Sequence, residues 1–187
     1  MNVIIFGPPG AGKGTQALNI VNKFNLFQVS TGELLRNEVK NQTDIGKEID
    51  NIISKGDFAT DEIVNELIKN VIFNEKTKNK LIFDGYPRSL SQAKNLDYLL
   101  STSNQKIDFV FFLNVKKETI IKRIEKRKIL EKRADDNLTT ILKRYETYME
   151  TTKPVLDFYS KKPNFHEIDG GAKIDEISNK IEQILSV

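Results

Sequence analysis

The stretch that decides the fold reads Gly7-Pro8-Pro9-Gly10-Ala11-Gly12-Lys13-Gly14-Thr15, and it directly follows the apolar segment Val3-Ile4-Ile5-Phe6. It fits the pattern G-x-x-x-x-G-K-[ST], which is typical of a phosphate-binding loop between a strand and a helix. Glycines let successive backbone N–H groups curl around an anion, and a helix predicted from Lys13 to about Phe24 points its positive end at the same place. We therefore expect a site for a nucleoside triphosphate rather than an ordinary glycine-rich turn.

Three kinds of group in this loop suit a phosphate chain. The backbone amides can surround an anion, the Lys13 ammonium can reach the outer phosphates, and the Thr15 hydroxyl can bind Mg²⁺. The residues expected to bind the triphosphate are Gly10, Ala11, Gly12, Lys13, Gly14 and Thr15.

The composition is that of one compact domain. With 187 residues, of which 39% are hydrophobic, the chain can form a single core. Its 29 basic and 26 acidic side chains leave a net charge of only +3, without the clustered excess that is usual in a general nucleic-acid binder. The absence of cysteine excludes disulfides and a thiolate zinc site.

Nothing in the sequence indicates export or membrane insertion. The chain starts with a predicted strand rather than a signal segment, and no apolar run reaches the roughly 20 residues that span a bilayer. We expect a cytoplasmic protein without a membrane partner.

Short apolar segments alternate with helical patterns along the chain. This order predicts an α/β fold, in which a parallel sheet is covered by helices on both faces and binds ligands beyond the carboxyl ends of its strands. Pro154 interrupts the helical pattern between residues 135 and 162, so we expect a kink or a break just before it. The predicted strands cover residues 2–6, 27–29, 80–83, 107–113 and 165–168.

A second strand pattern ends in an acid, in the stretch Lys80-Leu81-Ile82-Phe83-Asp84-Gly85-Tyr86-Pro87-Arg88. An Asp at a strand tip beside a phosphate-binding loop typically holds Mg²⁺, directly or through water. The alternative is a simple Asp-Gly turn, but the loop upstream favours the metal site. Thr15 and Asp84 are therefore the predicted magnesium ligands.

The stretch Val29-Ser30-Thr31-Gly32-Glu33-Leu34-Leu35-Arg36 predicts the start of another helix. Ser30 or Thr31 is a good N-cap, and Glu33 stands where a capping box from Ser30 places it. Capping does not require Arg36, which taken alone is either a solvated helix residue or a phosphate ligand.

These motifs together resemble the nucleoside monophosphate kinase family, and most closely its adenylate kinases of the short-lid type. The resemblance spans nearly the whole chain and rests on residues 7–15, 30–36, 55–60 and 83–88 and on Gln92.

The resemblance implies a P-loop NTPase fold with a five-stranded parallel sheet. It places a small helical lobe for the monophosphate at residues 30–59 and a short lid at residues 126–132, both inserted in a single domain of residues 1–187. The implied enzyme is a monomer that transfers a phosphoryl group from ATP, with Mg²⁺ and without zinc, to AMP and yields two ADP. No nucleic acid or membrane partner is implied.

By the same resemblance, the acceptor nucleotide lies between the lobe and the strand tips. Arg36 and Arg88 would hold its phosphate, and residues 57–59 would give backbone groups and an apolar wall to the adenine and ribose. The commoner family pattern has Leu and Val at positions 58 and 59, so the smaller Ala59 can loosen the adenine pocket. The implied AMP-binding residues are Thr31, Arg36, Asp57, Phe58, Ala59, Gly85, Tyr86, Pro87, Arg88, Gln92, Arg133 and Arg144.

Two positions favour AMP over a pyrimidine acceptor. The Gln92 carboxamide offers a donor and an acceptor side by side, which suits the N6/N1 edge of adenine. Pyrimidine-specific relatives usually carry Ala at position 31 and Asn at position 92, where this chain has Thr31 and Gln92. The alternative for Gln92 is an exposed helical side chain without a ligand.

The densest basic run of the chain covers residues 122–136. Taken alone it predicts a solvated helix face or a nucleic-acid patch, whereas in the family it is the lid with its flanks. Phosphoryl transfer spreads negative charge over phosphate oxygens, and guanidinium groups stay charged and bind phosphate bidentately. The implied catalytic residues are Lys13, Arg88, Arg123, Arg127, Arg133 and Arg144, with Arg127 also on ATP.

The lid is short and departs from the family pattern. Ile129-Leu130-Glu131 stands where a glycine-containing turn is expected, and Asp135 and Asp136 either pair with lid arginines or cap the next helix. We still expect it to close over the phosphates and exclude water. The acceptor is an already ionised phosphate oxygen, so no general base is needed and His166 is predicted to be structural.

Two further segments bear on the nucleotide. Ile168-Asp169-Gly170-Gly171-Ala172 predicts a glycine turn, and in the family this turn lies against the ATP adenine with the Ala172 carbonyl facing N6. Leu113-Asn114-Val115-Lys116-Lys117-Glu118 lacks the Asp of the guanine-recognition pattern N/T-K-x-D. The rival functions are a pyrimidine monophosphate kinase, a GTPase-like switch and an RNA-binding protein.

Overall fold

A computed structural model describes residues 1–54, 59–131 and 138–186 of the chain. The strands are β1 (Val3–Phe6), β2 (Phe27–Ser30), β3 (Leu81–Asp84), β4 (Phe109–Asn114) and β5 (Phe165–Asp169). The helices are α1 (Lys13–Phe24), α2 (Thr31–Lys40), α3 (Asp44–Ser54), α4 (Asp61–Ile72), α5 (Leu90–Thr102), α6 (Lys117–Glu131), α7 (Leu138–Thr147), α8 (Lys153–Tyr159) and α9 (Ile174–Leu185).

The five strands form one sheet in the order β2-β3-β1-β4-β5, and every neighbouring pair is parallel. The predicted α/β fold with a five-stranded parallel sheet is therefore confirmed. The strand bounds differ from the prediction by one or two residues, because ladder pairing rather than apolar character ends a strand. Asp84, for example, still pairs with Ser30 of β2 and belongs to β3.

The core lies in two layers, one on each face of the sheet. Along β1, Ile4 and Phe6 pack into the layer on one face, and Val3 and Ile5 pack into the layer on the other. This alternation follows from the two-residue period of a strand. Because both faces are covered, β1 reads as a continuous apolar run rather than as an alternating pattern.

The position of β1 at the centre of the sheet decides where a ligand can bind. Its carboxyl end leads into the glycine-rich loop, and the neighbouring strand β3 ends beside it at Asp84. In parallel sheets of this kind the crevice lies beyond the carboxyl ends of the strands. The loop and the acid predicted to act together are therefore brought to one edge.

The helix that contains Pro154 does not break. It changes from α to π hydrogen bonding over Tyr148–Thr152 and returns to α at Lys153, whose N–H bonds to the carbonyl of Tyr148. The pattern predicted a kink or a break just before Pro154, and the structure shows a continuous helix with a π segment there. The wider turn accommodates a residue that cannot donate a backbone hydrogen bond.

Two other predictions concern the lid segment and the histidine. Residues 126–131 continue helix α6, and residue 132 lies outside the described residues. The imidazole of His166 packs on the rings of Phe109 and Phe111, at centroid distances of 6.2 and 5.6 Å. This packing supports the structural role predicted for His166.

Within residues 1–54, 59–131 and 138–186, no helix has the length and apolar character to cross a membrane.

Helices α2 and α3 pack so closely that only glycine fits at position 46. A Cβ atom on Gly46 would overlap the backbone carbonyl of Glu38, which cannot move without shifting α2. We expect Gly46→Ala to lower the free energy of unfolding by about 1–3 kcal/mol, the range for overpacking. Denaturant unfolding measures this change. The matched control Glu48→Ala, at an exposed position of the same helix, should be close to neutral, and an equally stable Gly46→Ala would contradict the packing account.

Candidate active site

One crevice of about 820 Å³ lies beyond the carboxyl ends of the strands. It collects most of the residues that the sequence singled out, although they come from six separate segments of the chain. Those that line it are Gly10, Ala11, Gly12, Lys13, Gly14, Thr15, Arg36, Ala59, Asp84, Gly85, Pro87, Arg88, Arg123 and Arg144.

The glycine-rich loop has a backbone that side chains would disturb. Gly10 and Gly12 adopt φ values of 79° and 94°, in the region that favours glycine. A Cβ atom on Gly10 would also lie 2.7 Å from Cγ1 of Ile124 on α6. The loop is therefore shaped by its glycines and packs closely against helix α6.

Two cations lie against this loop. Lys13 Nζ donates to the carbonyls of Gly7 and Pro8, at 2.8 and 3.1 Å. Arg123 reaches over from α6, and its Nη1 donates to the carbonyl of Ala11 at 3.1 Å. Positive charge is thus concentrated where a phosphate chain would meet the loop amides.

The carboxylate of Asp84 lies beside the glycine-rich loop. Its Oδ2 accepts a hydrogen bond from Gln28 Nε2 at 3.3 Å, and it lies 3.6 Å from the position that a Cβ on Gly14 would take. The side chain of Thr15, the residue after Gly14, is exposed and lines the crevice. A carboxylate and a hydroxyl therefore face the same space.

Three guanidinium groups, those of Arg36, Arg88 and Arg144, lie close together in the crevice. Burial lowers the pKa of Arg88 to about 10, the positive charges of Arg144 and Arg36 act in the same direction, and the Asp84 carboxylate opposes them. Arg88 stays charged at neutral pH. Arginines that repel one another around a cleft form a site where a phosphate dianion is favourable.

The turn after β3 fixes the direction of Arg88. The Gly85 carbonyl accepts from Arg88 Nε at 2.7 Å and from Thr31 Oγ1 at 2.8 Å. Gly85 has a φ of 75°, and a Cβ there would lie 3.0 Å from Arg88 Nη2. Glycine at this position thus leaves room for the Arg88 guanidinium. Thr31 and Arg88 donate to the same carbonyl oxygen of Gly85, so Thr31 helps to hold the acceptor that orients Arg88.

Gln92 is buried, with only 4% of its surface exposed, so the alternative of an exposed helical glutamine is wrong. Its Oε1 accepts from the backbone N–H of Arg88 at 2.7 Å, and its Nε2 donates to Asp61 Oδ1 at 2.7 Å. Burial raises the pKa of Tyr86 to about 12, so its hydroxyl stays neutral. It donates to Asn65 Oδ1 at 2.9 Å, and the Gln92 carbonyl is a second acceptor within reach at 3.3 Å.

Some predicted site residues are not among those that line the crevice. Thr31, Tyr86 and Gln92 are buried next to residues that line the crevice, and Ala172 lies in the turn before α9. Asp57, Phe58, Arg133, Asp135 and Asp136 lie outside the described residues, and Arg127 is described only as part of the backbone of α6.

Among the crevice residues that were not predicted from the sequence, three bear on the arrangement of the site. Gln28 holds Asp84, Thr152 Oγ1 donates to the Arg88 carbonyl at 3.2 Å, and Tyr148 lies in the π segment. Gln28 and Ser30 are two residues apart in β2 and so lie on the same face of the strand. This spacing could have indicated that Gln28 lies near the site, since Ser30 begins a predicted site segment. The other two depend on the π segment, which no local pattern indicates.

Comparisons with known proteins show which family the chain belongs to. The family model described as adenylate kinase matches residues 5–164. A protein named adenylate kinase from Pelagibacter ubique (strain HTCC1062) is 51% identical, with both chains covered completely. Adenylate kinases from Azobacteroides pseudotrichonymphae and from Mycoplasma mycoides subsp. mycoides SC are 42% and 38% identical; the alignments cover 98% and 95% of this chain and 97% and 93% of the relatives.

Proposed function

The chain belongs to the adenylate kinase family, and we propose that it transfers the terminal phosphoryl group of ATP to AMP and so forms two molecules of ADP. One observation carries this proposal. The phosphate-binding loop with Lys13 and Arg123 lines the crevice, and the mutually close Arg36, Arg88 and Arg144 line it as a second cationic group. Two cationic groups in one cleft suit the phosphates of a donor and an acceptor nucleotide.

On the donor side, the loop amides of residues 10–15 surround the phosphates of ATP. Lys13 and Arg123 neutralise the charge that develops on the transferred group, as cations do in phosphoryl transfer generally. Arg127 extends this positive surface, and the turn at Ala172 lies against the adenine. The last two assignments rest on the resemblance alone.

Magnesium is used with ATP in this family, and the residues present fit it. Mg²⁺ keeps several waters and takes one or two protein oxygens plus phosphate oxygens, which matches the single carboxylate of Asp84 and the hydroxyl of Thr15. Among the described residues, no group of three or more His, Cys, Asp or Glu side chains is placed to hold a metal ion. The ion would supply charge neutralisation of the phosphates.

On the acceptor side, Arg36, Arg88 and Arg144 hold the phosphate of AMP, with Arg133 from the flank of the lid. Gln92 reads the adenine edge, and residues 57–59 with residues 85–87 enclose the base and ribose. Thr31 supports this side through the Gly85 carbonyl. The lobe formed by residues 30–59 then carries the acceptor, and residues 126–132 cover the donor.

Catalysis consists of positioning and charge stabilisation. The acceptor oxygen is already ionised, so no side chain has to remove a proton, and the catalytic groups are Lys13, Arg88, Arg123, Arg127, Arg133 and Arg144. Exclusion of water by the lid prevents hydrolysis of ATP. We also propose that the enzyme is a cytoplasmic monomer, because all the assigned residues come from one chain and the substrates are intracellular nucleotides.

A coupled assay across a panel of donors and acceptors tests the proposed function. We expect AMP to be phosphorylated by ATP in preference to UMP and CMP, because a purine edge matches the Gln92 carboxamide. Preferred turnover of UMP or CMP would indicate the rival pyrimidine kinase. Hydrolysis of GTP without an acceptor would indicate a GTPase-like switch, and RNA binding that survives saturating ATP plus AMP would indicate an RNA-binding surface.

A further inference from the structure

The side chain of Asp61 joins the start of α4 to the start of α5. Its Oδ1 accepts from Gln92 Nε2 at 2.7 Å, and its Oδ2 accepts from Ser89 Oγ at 2.8 Å. Ser89 is the N-cap of α5 and in turn accepts from the Gln92 N–H at 3.1 Å. Both carboxylate oxygens are therefore directed at the turn that carries Gln92.

The Gln92 carboxamide lies between two groups of opposite kind. The Asp61 carboxylate can only accept hydrogen bonds, and the backbone N–H of Arg88, at 2.7 Å from Oε1, can only donate one. A carboxamide turned over by 180° would place its oxygen against the carboxylate and its NH₂ against the N–H. Two repulsive contacts of nearly buried groups oppose that orientation, so the amide has one stable direction.

The two protein contacts use only half of the amide's hydrogen-bonding capacity. A carboxamide has two N–H donors and two lone pairs on oxygen, and one of each is taken by Asp61 and Arg88. With respect to the described residues, one donor and one lone pair remain, and the two partners fix which end of the amide carries the donor and which the lone pair. Arg88 lines the crevice and its backbone N–H binds Gln92 directly, so the base-reading role that the proposed function gives to Gln92 would use this remaining pair.

We propose that Asp61 is a specificity-determining positioning residue, which fixes the Gln92 carboxamide so that the acceptor site takes a 6-aminopurine monophosphate and rejects a 6-oxopurine monophosphate. Adenine presents an N6 donor beside the N1 acceptor, whereas hypoxanthine presents an O6 acceptor beside an N1 donor. A carboxamide free to turn over would match either base. This inference rests on the proposed function, in which Gln92 reads the base.

The experiment compares kcat/KM for AMP and for inosine 5′-monophosphate, with ATP as donor. In Asp61→Ala the carboxamide loses the acceptor that orients it, so the AMP/IMP ratio should fall by about tenfold, while the KM for ATP stays unchanged. The matched control is Asn65→Ala, one turn later on α4, which removes the contact with the Tyr86 hydroxyl but leaves the carboxamide partners in place. Its AMP/IMP ratio should equal that of the wild type.

Two further variants separate an orienting role from a loss of structure. Asp61→Asn keeps the shape of the side chain but can present either an oxygen or an NH₂, so its AMP/IMP ratio should fall between those of the wild type and Asp61→Ala. In a Gln92→Ala background no carboxamide is left to orient, and Asp61→Ala should cause no further change in the ratio.

The possible outcomes are distinct. A wild type that phosphorylates AMP, combined with Asp61→Ala and Asp61→Asn proteins that keep its AMP/IMP ratio, overturns the role of Asp61 and leaves the proposed function intact. An equal fall of the ratio in Asn65→Ala, or a further fall in the Gln92→Ala background, also overturns it. A wild type without AMP phosphorylation overturns both.

Discussion

Lys13→Ala is expected to lower kcat for transfer from ATP to AMP by about 10²–10³-fold, the usual cost of removing one charge-stabilising donor. The lysine side chain lies against the loop, where its Nζ donates to the carbonyls of Gly7 and Pro8. Its loss removes the mobile cation of the donor site but leaves the glycine-rich backbone in place. Initial rates with both nucleotides varied measure the effect.

The same helix offers a matched control for this variant. Lys23, near the end of α1, forms an exposed ion pair with Glu182, and Lys23→Ala should keep the wild-type kcat. Both variants should also keep a cooperative unfolding transition, since neither removes core packing. Near-normal kcat in Lys13→Ala would contradict its assignment to the transferred phosphate.

Arg88→Ala is expected to lower kcat/KM for AMP by about 10³–10⁵-fold, in the range of a single arginine that stabilises phosphoryl transfer. Arg88 lies among Arg36, Arg144 and Asp84, at the centre of the acceptor side. Arg88→Lys should recover only a small part of the activity, because an ammonium cannot hold a phosphate bidentately. Initial rates at varied AMP measure both variants.

A stability measurement separates this role from a structural one. The variant Arg88→Ala loses the side-chain bond to Gly85, but it also relieves the burial of a charge and the repulsion from two neighbouring guanidinium groups. We therefore expect a free energy of unfolding close to that of the wild type despite the large loss of activity. A large loss of stability in Arg88→Ala would indicate that the arginine mainly supports the fold.

The sequence predicted those parts of the molecule that depend on local patterns. The glycine-rich loop, the acid at the end of β3 and the turn that presents Arg88 each occupy consecutive residues, and each carries its own physical signature. Parallel pairing of the strands then brings Asp84 and the loop together, because the carboxyl ends of β1 and β3 share one edge. Fold and phosphate sites could for this reason be predicted together.

Contacts between segments that are far apart in the chain could not be predicted from the sequence. Asp61 and Gln92 are 31 positions apart, and nothing local indicates that a carboxylate at the start of α4 would orient a carboxamide on α5. The π segment before Pro154 is a second case, since the pattern predicted a kink or a break there and not a π segment. The continuation of α6 to Glu131 follows from Ile129-Leu130-Glu131, which are helix formers and lack the glycine of a turn.

Product stoichiometry tests most directly whether the crevice holds a donor and an acceptor that face each other. The purified protein is incubated with ATP, Mg²⁺ and AMP, and the nucleotides are separated and quantified by ion-exchange chromatography over time. The account predicts that one AMP disappears with each ATP and that two ADP appear, whereas ATP alone is left almost unchanged. Loss of ATP with release of inorganic phosphate, while AMP stays constant, would contradict it.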